Sequence, residues 1–496
     1  MSILQNSVKM TNEPPKGLRA NLLQTYKSNP LSDPAFFEGC GERSPEFKKL
    51  LFGLCTFHAI VQERLGFGPI GWNVKYQFST PDFVISVRQL QMFLNEYPED
   101  LPLQALIYLT GECNYGGRVT DAKDRKTLLS ILDVFYNFDV FNDDYTFSSS
   151  GLYYAPPDGE YETYLDFIKK LPIIAAPEAF GMHANADIAK DNKETNLFLD
   201  SLAVSQTTAS GGANKGKDAA LKEIVQVVAT KMPDPFDLEY ANYKYPVMYL
   251  ESMNTVLCQE MVRFNRLIEV IKKSIADLAK ALEGLVVMSG DLENLGNAMY
   301  EGKLPSLWAG KSYPSLKPLP SYVDDLCKRL NMLQMWLDKG PPNVFWISGF
   351  YFTHAFLTGI KQNYARRNKI PIDTLTFDYT CQPIKEVKEK PDVGAYVNGM
   401  YVEGARWDYD SFQLEDPQSK VLYSEAPMLL VEPVEITKKR SFPHYECPLY
   451  RTTERKGTLA TTGHSTNFVM DILLPSDRPQ DYWIRGGVAL LLELSE

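Results

Sequence analysis

Residues 210–218, SGGANKGKD, carry most of the letters of a phosphate-binding loop: Gly211, four residues, then Gly216 and Lys217. In such a loop the backbone N–H groups of a glycine-rich turn and a lysine ammonium hold nucleotide phosphates, and a Ser or Thr after the lysine holds magnesium. Here the following residue is Asp218, a carboxylate where a phosphate-bound cation is wanted. The loop must also be delivered by a buried strand. LFLDSLAVSQTTAS is too interrupted by polar residues to be that strand, although AALKEIVQVVATKM downstream has the spacing of an amphipathic helix. The stretch is therefore read as a solvated Gly/Asn/Lys loop ahead of a helix, with nucleotide binding through 211–217 kept as an alternative.

Other constellations fail on context. Gly66, Gly68 and Gly71 in GFGPIGW spell a dinucleotide fingerprint. That fingerprint needs a strand before it and a helix after it. Here FKKLLFGLCTFHAIVQER, a helix by its spacing, precedes it, Pro69 stiffens its middle, and WNVKYQF after it reads as extended. His183, Asn185 and Asp187 alternate like metal ligands but lack a fourth, so they are read as a polar turn held by side-chain-to-backbone hydrogen bonds. His464 and Ser465 are adjacent, and neighbours in an extended segment point to opposite faces, which does not make a nucleophile–base pair. Arg366, Arg367 and Lys369 form a basic group beside Tyr364, either a solvated helix end or a grip on an acidic surface. No catalytic, cofactor-binding or metal-binding residue is assigned.

The composition narrows the class. The 496 residues allow two to four domains, and 44% hydrophobic with 23% charged is ordinary for a globular protein. A net charge of −11 argues against general nucleic-acid binding, which needs a basic face. No run of about 18 apolar residues indicates a membrane span, and MSILQNSVKMTNEPPK lacks the pattern of a signal peptide. Seven scattered cysteines without a Cys-x-x-Cys pair and five histidines without ligand spacing fit unpaired thiols in a reducing compartment, without zinc.

The elements that would position these residues are mainly helical at first. VKMTNEPPKGLRANLLQTY has a strand-like start, a Pro-Pro turn and a short helical piece, like the tail of a domain. Helices are predicted from Ser44 to Gly66, and over 82–97, 102–111 and 121–139, followed by a loop-rich 140–190 and a polar, mobile 190–220. From Leu250 to Leu285 apolar residues recur every three or four positions, which predicts one long helix. Its stripe packs inside its own domain or, as an alternative, recruits a partner helix in a free-standing scaffold. Helices follow at 291–301 and 320–338, and NVFWISGFYFTHAFLTGIKQNYARRNK reads as aromatic and helical. Short extended segments then run to the end, with Asn398-Gly399 as a hairpin turn, predicting an antiparallel sheet or small barrel. The fold class is α+β and multi-domain.

Several long strings, FGPIGWNVKYQF, YLTGECNYGGRVTD, FGMHANADI, ESMNTVLCQEMVRFN, SYPSLKPLPSYVDDL, FWISGFYFTHAFLTGIKQNYARRNKIPIDTLTFD and TTGHSTNFVMDILLP, closely resemble the C-terminal part of dynein heavy chains, in order over nearly the whole chain. CPLYRTTERKGTLATTGHSTNF through WIRGGVALLLEL is most similar to the axonemal heavy chains, although WIRGG departs from the usual Arg-Gly-Val ending.

The resemblance implies an order of parts: 1–30 as the end of the large subdomain of the sixth AAA+ module, and 31–189 as its helical lid with connecting loops. The helical part of the C-terminal domain would take 190–345, and an aromatic helix with a small antiparallel β-barrel 346–496. It implies a terminal piece or short isoform of a parent motor that moves towards microtubule minus ends in cilia or flagella. The parent's ATP and magnesium sites lie in the first four modules and its microtubule-binding tip in the stalk, so neither cofactor is expected in this chain. Expected partners are the rest of the dynein ring and, through the parent complex, intermediate, light intermediate and light chains and microtubules. Neither nucleic acid nor membrane is expected. The expected location is the cytoplasm, cytoskeleton and axoneme.

Overall fold

The computed structural model describes residues 6–8, 15–207, 214–383, 387, 389–458 and 466–495. Among these the chain divides into two units, the first made of Met1–Lys193 with Asp481–Gly487 and the second of Glu194–Thr458, 466–480 and 488–495.

The first unit is helical: α1 (Leu18–Tyr26), α2 (Ser44–Glu63), α3 (Thr80–Glu96), α4 (Ala122–Phe135) and α5 (Tyr161–Lys170). Pro45 sits in the first turn of α2, where a missing N–H costs nothing. Phe47, Leu50, Leu51, Leu54, Phe57 and Val61 are all buried, and so are Phe52 and Cys55 on other sides of the helix. A helix that is apolar nearly all round belongs at the centre of a core, and the other helices pack about it. Gly53 permits the closest approach: a Cβ there would lie 3.1 Å from the Phe135 carbonyl oxygen at the end of α4. The neighbouring helices start on side-chain caps. Ser79 and Asp82 form a capping box at α3, and the Asp121 carboxylate accepts the Lys123 and Asp124 amides at α4.

Three readings change here, and a fourth is left without a structural outcome. The 102–111 helix is α-helical only over Leu103–Ile107 and continues as a π-helical turn over Tyr108–Asn114. Residues 72–78, read as extended, form neither helix nor strand. The loop-rich 140–190 contains α5, whose Tyr161, Tyr164, Leu165 and Ile168 do carry a helical stripe. The strand-like start at 8–10 lies largely outside the described residues.

The polar segment 190–220, expected to be mobile, is helical on both sides of residues 208–213. Helix α6 (Asn185–Thr207) starts in the first unit and the division falls within it, and α7 (Asn214–Lys231) follows. The apolar residues of α6 run consecutively, Leu197-Phe198-Leu199, and stay exposed, so there is no one-sided stripe from which to read a helix.

In the second unit the 250–285 stripe forms α8 (Ser252–Leu282), a helix of 31 residues. Leu257, Met261, Phe264, Ile268, Ile271, Ile275 and Leu278 are buried within the unit, while Leu250 and Leu285 lie beyond its ends and are exposed. The stripe is thus consumed by the chain's own packing, and recruitment of a partner helix through it is not favoured. Helices α9 (Gly290–Tyr300), α10 (Leu319–Lys339) and α11 (Thr353–Asn368) follow. The aromatic stretch before α11 is helical only from Thr353, because Val344–Trp346 is a strand.

The strands are β1 (Val344–Trp346), β2 (Leu375–Cys381), β3 (Ala395–Asn398), β4 (Tyr401–Glu403), β5 (Arg406–Asp408), β6 (Gln413–Glu415), β7 (Tyr423–Glu425), β8 (Leu429–Glu435), β9 (His444–Thr452), β10 (Phe468–Pro475) and β11 (Ala489–Glu493). They make one sheet in the order β1-β3-β8-β2, another in the order β10-β9-β11-β4-β7, and the ribbon β5-β6. Pairing is antiparallel except for β1 with β3 and β9 with β11, so the architecture is α+β with mixed sheets. The Asn398-Gly399 turn does not close a hairpin, because β3 and β4 belong to different sheets. Gly399 has φ +86°, and a Cβ on it would lie 2.1 Å from the Trp346 ring, so the turn passes the chain between sheets beneath that indole.

Candidate functional site

The Gly216-Lys217 pair falls in the first turn of α7, and the element before it is helix α6 instead of a strand. Gly211 lies outside the described residues. The Lys217 ammonium donates to Asn297 Oδ1 at 2.7 Å and stands 5.3 Å above the Tyr300 ring, both on α9. The lysine that a phosphate would need instead ties two helices together. Further along, α7 and α8 border a groove of about 570 Å³ whose lining includes Val225, Met232, Ile275, Lys222 and Lys272.

The glycines of GFGPIGW serve a purpose other than holding an anion. Residues Arg64–Ile70 form a 3₁₀ stretch broken at Gly68, which has φ +69°, so that the chain folds back over the Arg64 side chain. A Cβ at Gly71 would fall 1.9 Å from the Arg64 carbonyl oxygen, so glycine is needed for that close return. Arg64 is fully buried, and its guanidinium donates to the carbonyl oxygens of Gly71 (3.4 Å), Ile70 (3.5 Å), Phe180 and Arg485, the last through both Nη atoms at 3.1 Å. Burial lowers its pKa to about 9, partly opposed by Asp124. Asp124 in turn accepts the Asn73 and Val74 amides at 2.9 and 3.0 Å, and burial lifts its carboxyl to about 7. This is a cage of backbone carbonyls around a cation.

Several of the remaining sequence-marked residues have structural roles. His183 Nδ1 accepts the Asn185 amide at 3.2 Å at the start of α6, as a polar turn does. Arg366 donates to the Tyr249 carbonyl (2.6 Å) and Ser252 Oγ (3.0 Å), and Arg367 pairs with Glu251 at 3.5 Å, so the basic group holds the N-terminal end of α8. Lys369 ends α11 with a left-handed backbone at φ +56°. His464 and Ser465 lie outside the described residues.

Buried charge that the sequence did not flag concentrates in the second unit. Arg329 on α10 lies between Asp325 (2.5 Å) and Glu493 of β11 (3.2 Å), with its guanidinium 3.9 Å above the Tyr313 ring; Lys317 completes the group 3.0 Å from Asp325. Burial raises both carboxyls, but the two cations hold Asp325 below the usual carboxylate range while Glu493 stays above it. Glu260 on α8 is fully buried and accepts the Tyr351 and Phe352 amides with Arg263 at 3.2 Å, and Asn265 brackets the Phe236 backbone with bonds of 2.8 and 2.9 Å. The polar interruptions of the long stripe are thus receptors for buried backbone groups.

These features define a helical unit and an α+β domain in which Arg64, Lys217, Glu260 and Arg329 are engaged in internal contacts. The family model for the AAA lid domain of the dynein heavy chain matches residues 47–186, and the family model for its C-terminal domain matches residues 192–492. The protein belongs to the dynein heavy chain family. It is 52% identical over 495 residues to dynein axonemal heavy chain 3 of Homo sapiens, in a match spanning 100% of this chain and 12% of that protein. It is 52% identical over 498 residues to dynein axonemal heavy chain 12 of Homo sapiens, with 100% and 16% covered, and 46% identical over 497 residues to dynein axonemal heavy chain 1 of Homo sapiens, with 100% and 12% covered. The chain therefore spans 12 to 16% of the length of these relatives.

Proposed function

We propose that this chain serves an axonemal dynein motor as the lid and C-terminal domain that brace and regulate the ring, without turning over ATP itself. The observation that carries this reading is the unbroken similarity of the whole chain to axonemal heavy chains at 52% identity. The parent would convert ATP hydrolysis into minus-end-directed movement on microtubules, with intermediate, light intermediate and light chains as partners of the complex. Its place of work is the axoneme of cilia or flagella, within the cytoplasmic cytoskeleton. The absence of a nucleotide site of its own is supported by the engagement of Lys217 with Asn297 and by Asp218 at the magnesium position. Calorimetric titration of the protein with Mg-ATP is expected to give no saturable heat. Tight binding abolished by Lys217→Ala would overturn this reading in favour of a nucleotide-binding enzyme.

A further inference from the structure

The seven residues Asp481–Gly487 belong to the first unit, whereas the strands on either side of them, β10 and β11, belong to the second. They contain the WIRGG sequence and lie in a short helix, α12 (Gln480–Gly486). Within the first unit they are held at two places, and Trp483 between them is 1% exposed. At α4, Ser130 Oγ donates to the Asp481 carbonyl and Arg485 returns Nη1 to the Ser130 carbonyl, all at 3.3 Å. At the end of the segment, both Nη atoms of Arg64 grasp the Arg485 carbonyl, and Gly487, φ +68°, lies so close to Ile70 that a Cβ would meet its carbonyl oxygen at 2.3 Å.

A fully buried arginine that spends its donors on carbonyls, with no carboxylate bonded to it among the described residues, is costly unless those carbonyls are fixed in place. Two of its four carbonyl partners, Ile70 and Gly71, are local, and Phe180 comes from the same unit. The Arg485 carbonyl arrives from 421 positions away. Without the strap, two Nη hydrogen bonds of a buried cation would be unmade, so strap docking and the burial of Arg64 stabilise one another.

We propose that Asp481–Gly487 is a latched strap, a loop between two strands of the C-terminal domain that docks as a unit into the lid, with Arg64 as its latch and Gly487 as its seat. The strap couples the lid to strands β10 and β11 through the backbone itself, in addition to the connection at 193–194. This goes beyond the motor reading and does not depend on it, since it concerns contacts within this chain.

Hydrogen exchange with peptide-level mass spectrometry on the full chain tests it, with Arg64→Met to remove the latch and Gly487→Ala to unseat the strap while every residue of 1–193 is kept. Both variants are expected to speed exchange across 481–487 by about tenfold or more, the scale of lost charge-assisted bonds. Helix α2 should retain its wild-type protection in Gly487→Ala, and β11 should exchange faster in both. The proposal is overturned if the strap keeps wild-type exchange in Gly487→Ala, or if α2 loses protection in step with the strap, which would make the segment an inseparable part of the lid core. Unchanged exchange of β11 in a variant whose strap is released would overturn the coupling.

Discussion

Replacing Arg329 by Met would remove the cation at the centre of the buried charge group while keeping comparable bulk. Asp325 and Glu493 are both buried, and Arg329 bridges them at 2.5 and 3.2 Å. In the variant Lys317, 3.0 Å from Asp325, is the one cation of the group that remains among the described residues to face two carboxylates. Breaking a buried pair by removing one partner costs about 3–5 kcal/mol. The lower end applies here, because Lys317 stays and the carboxyls can take up a proton. That second response gives the variant a signature in pH. Without Arg329 the folded-state pKa of both acids rises above the unfolded value, so the folded state binds more protons and its stability falls as pH rises. The deficit of Arg329→Met against wild type should therefore be larger at pH 7 than near pH 5. Pulse-labelled hydrogen exchange across a urea titration, read on peptides of α10 and β11, measures the second unit separately from the first. A loss below about 1 kcal/mol, set against that expected range, or a deficit that does not change with pH, would refute the account of Arg329 as the charge that makes this group tolerable. Substituting Glu493 by Leu in the same background should recover part of the loss, because the remaining buried carboxylate, Asp325, keeps Lys317 as its partner.

Ile271→Ala on α8, a fully buried position, should destabilise the second unit by about 2–5 kcal/mol, read from its urea midpoint. The mass of the wild-type protein in light scattering should not depend on concentration; a mass that rises with concentration and is abolished by substitutions in the α8 stripe would contradict its internal packing. His58, lowered to about 4 by burial, has its Nδ1 2.9 Å from the Tyr115 hydroxyl. The unfolded state binds the extra proton below about pH 6.5, so His58 makes the first unit less stable as pH falls towards 4, and His58→Phe should lessen that acid sensitivity in thermal melts at pH 5 against pH 7. Asp124 acts in the opposite sense: raised to about 7, it makes the first unit less stable as pH rises from about 4 to 7, and Asp124→Asn should flatten that part of the profile.

Much of the fold was legible because it is written in local periods. The stripe from Leu250 to Leu285 predicted α8 within three residues at each end, and Ser44-Pro45 marked the start of α2, since a helix repeats its apolar face every turn whatever it packs against. The places that failed lacked such a period. Helix α6 has its apolar residues side by side, and the aromatic run before α11 hides a three-residue strand whose partner, β3, lies some fifty positions away. The Asn398-Gly399 turn was recognisable as a turn, but which strands it joins was decided by pairing with distant segments.

The near-motifs followed the same rule. Asp218 and the missing strand were enough to set SGGANKGKD apart from a phosphate loop, because the chemistry depends on a residue next in the chain. The destination of Lys217, 80 positions away at Asn297, was not in the local letters. The sequence by itself determined the family, the long helix, and the want of a magnesium ligand after Lys217, all of which are carried by residue type and order along the chain. Only the tertiary structure decided that the α8 stripe is buried within its own unit, that Gly68 and Gly71 of GFGPIGW fold the chain back over a buried arginine, that Arg329 bridges two acids, and that WIRGG completes the first unit. Those arrangements join groups as far as 421 positions apart, and their stability comes from excluding water around the assembled set, which no single segment does alone.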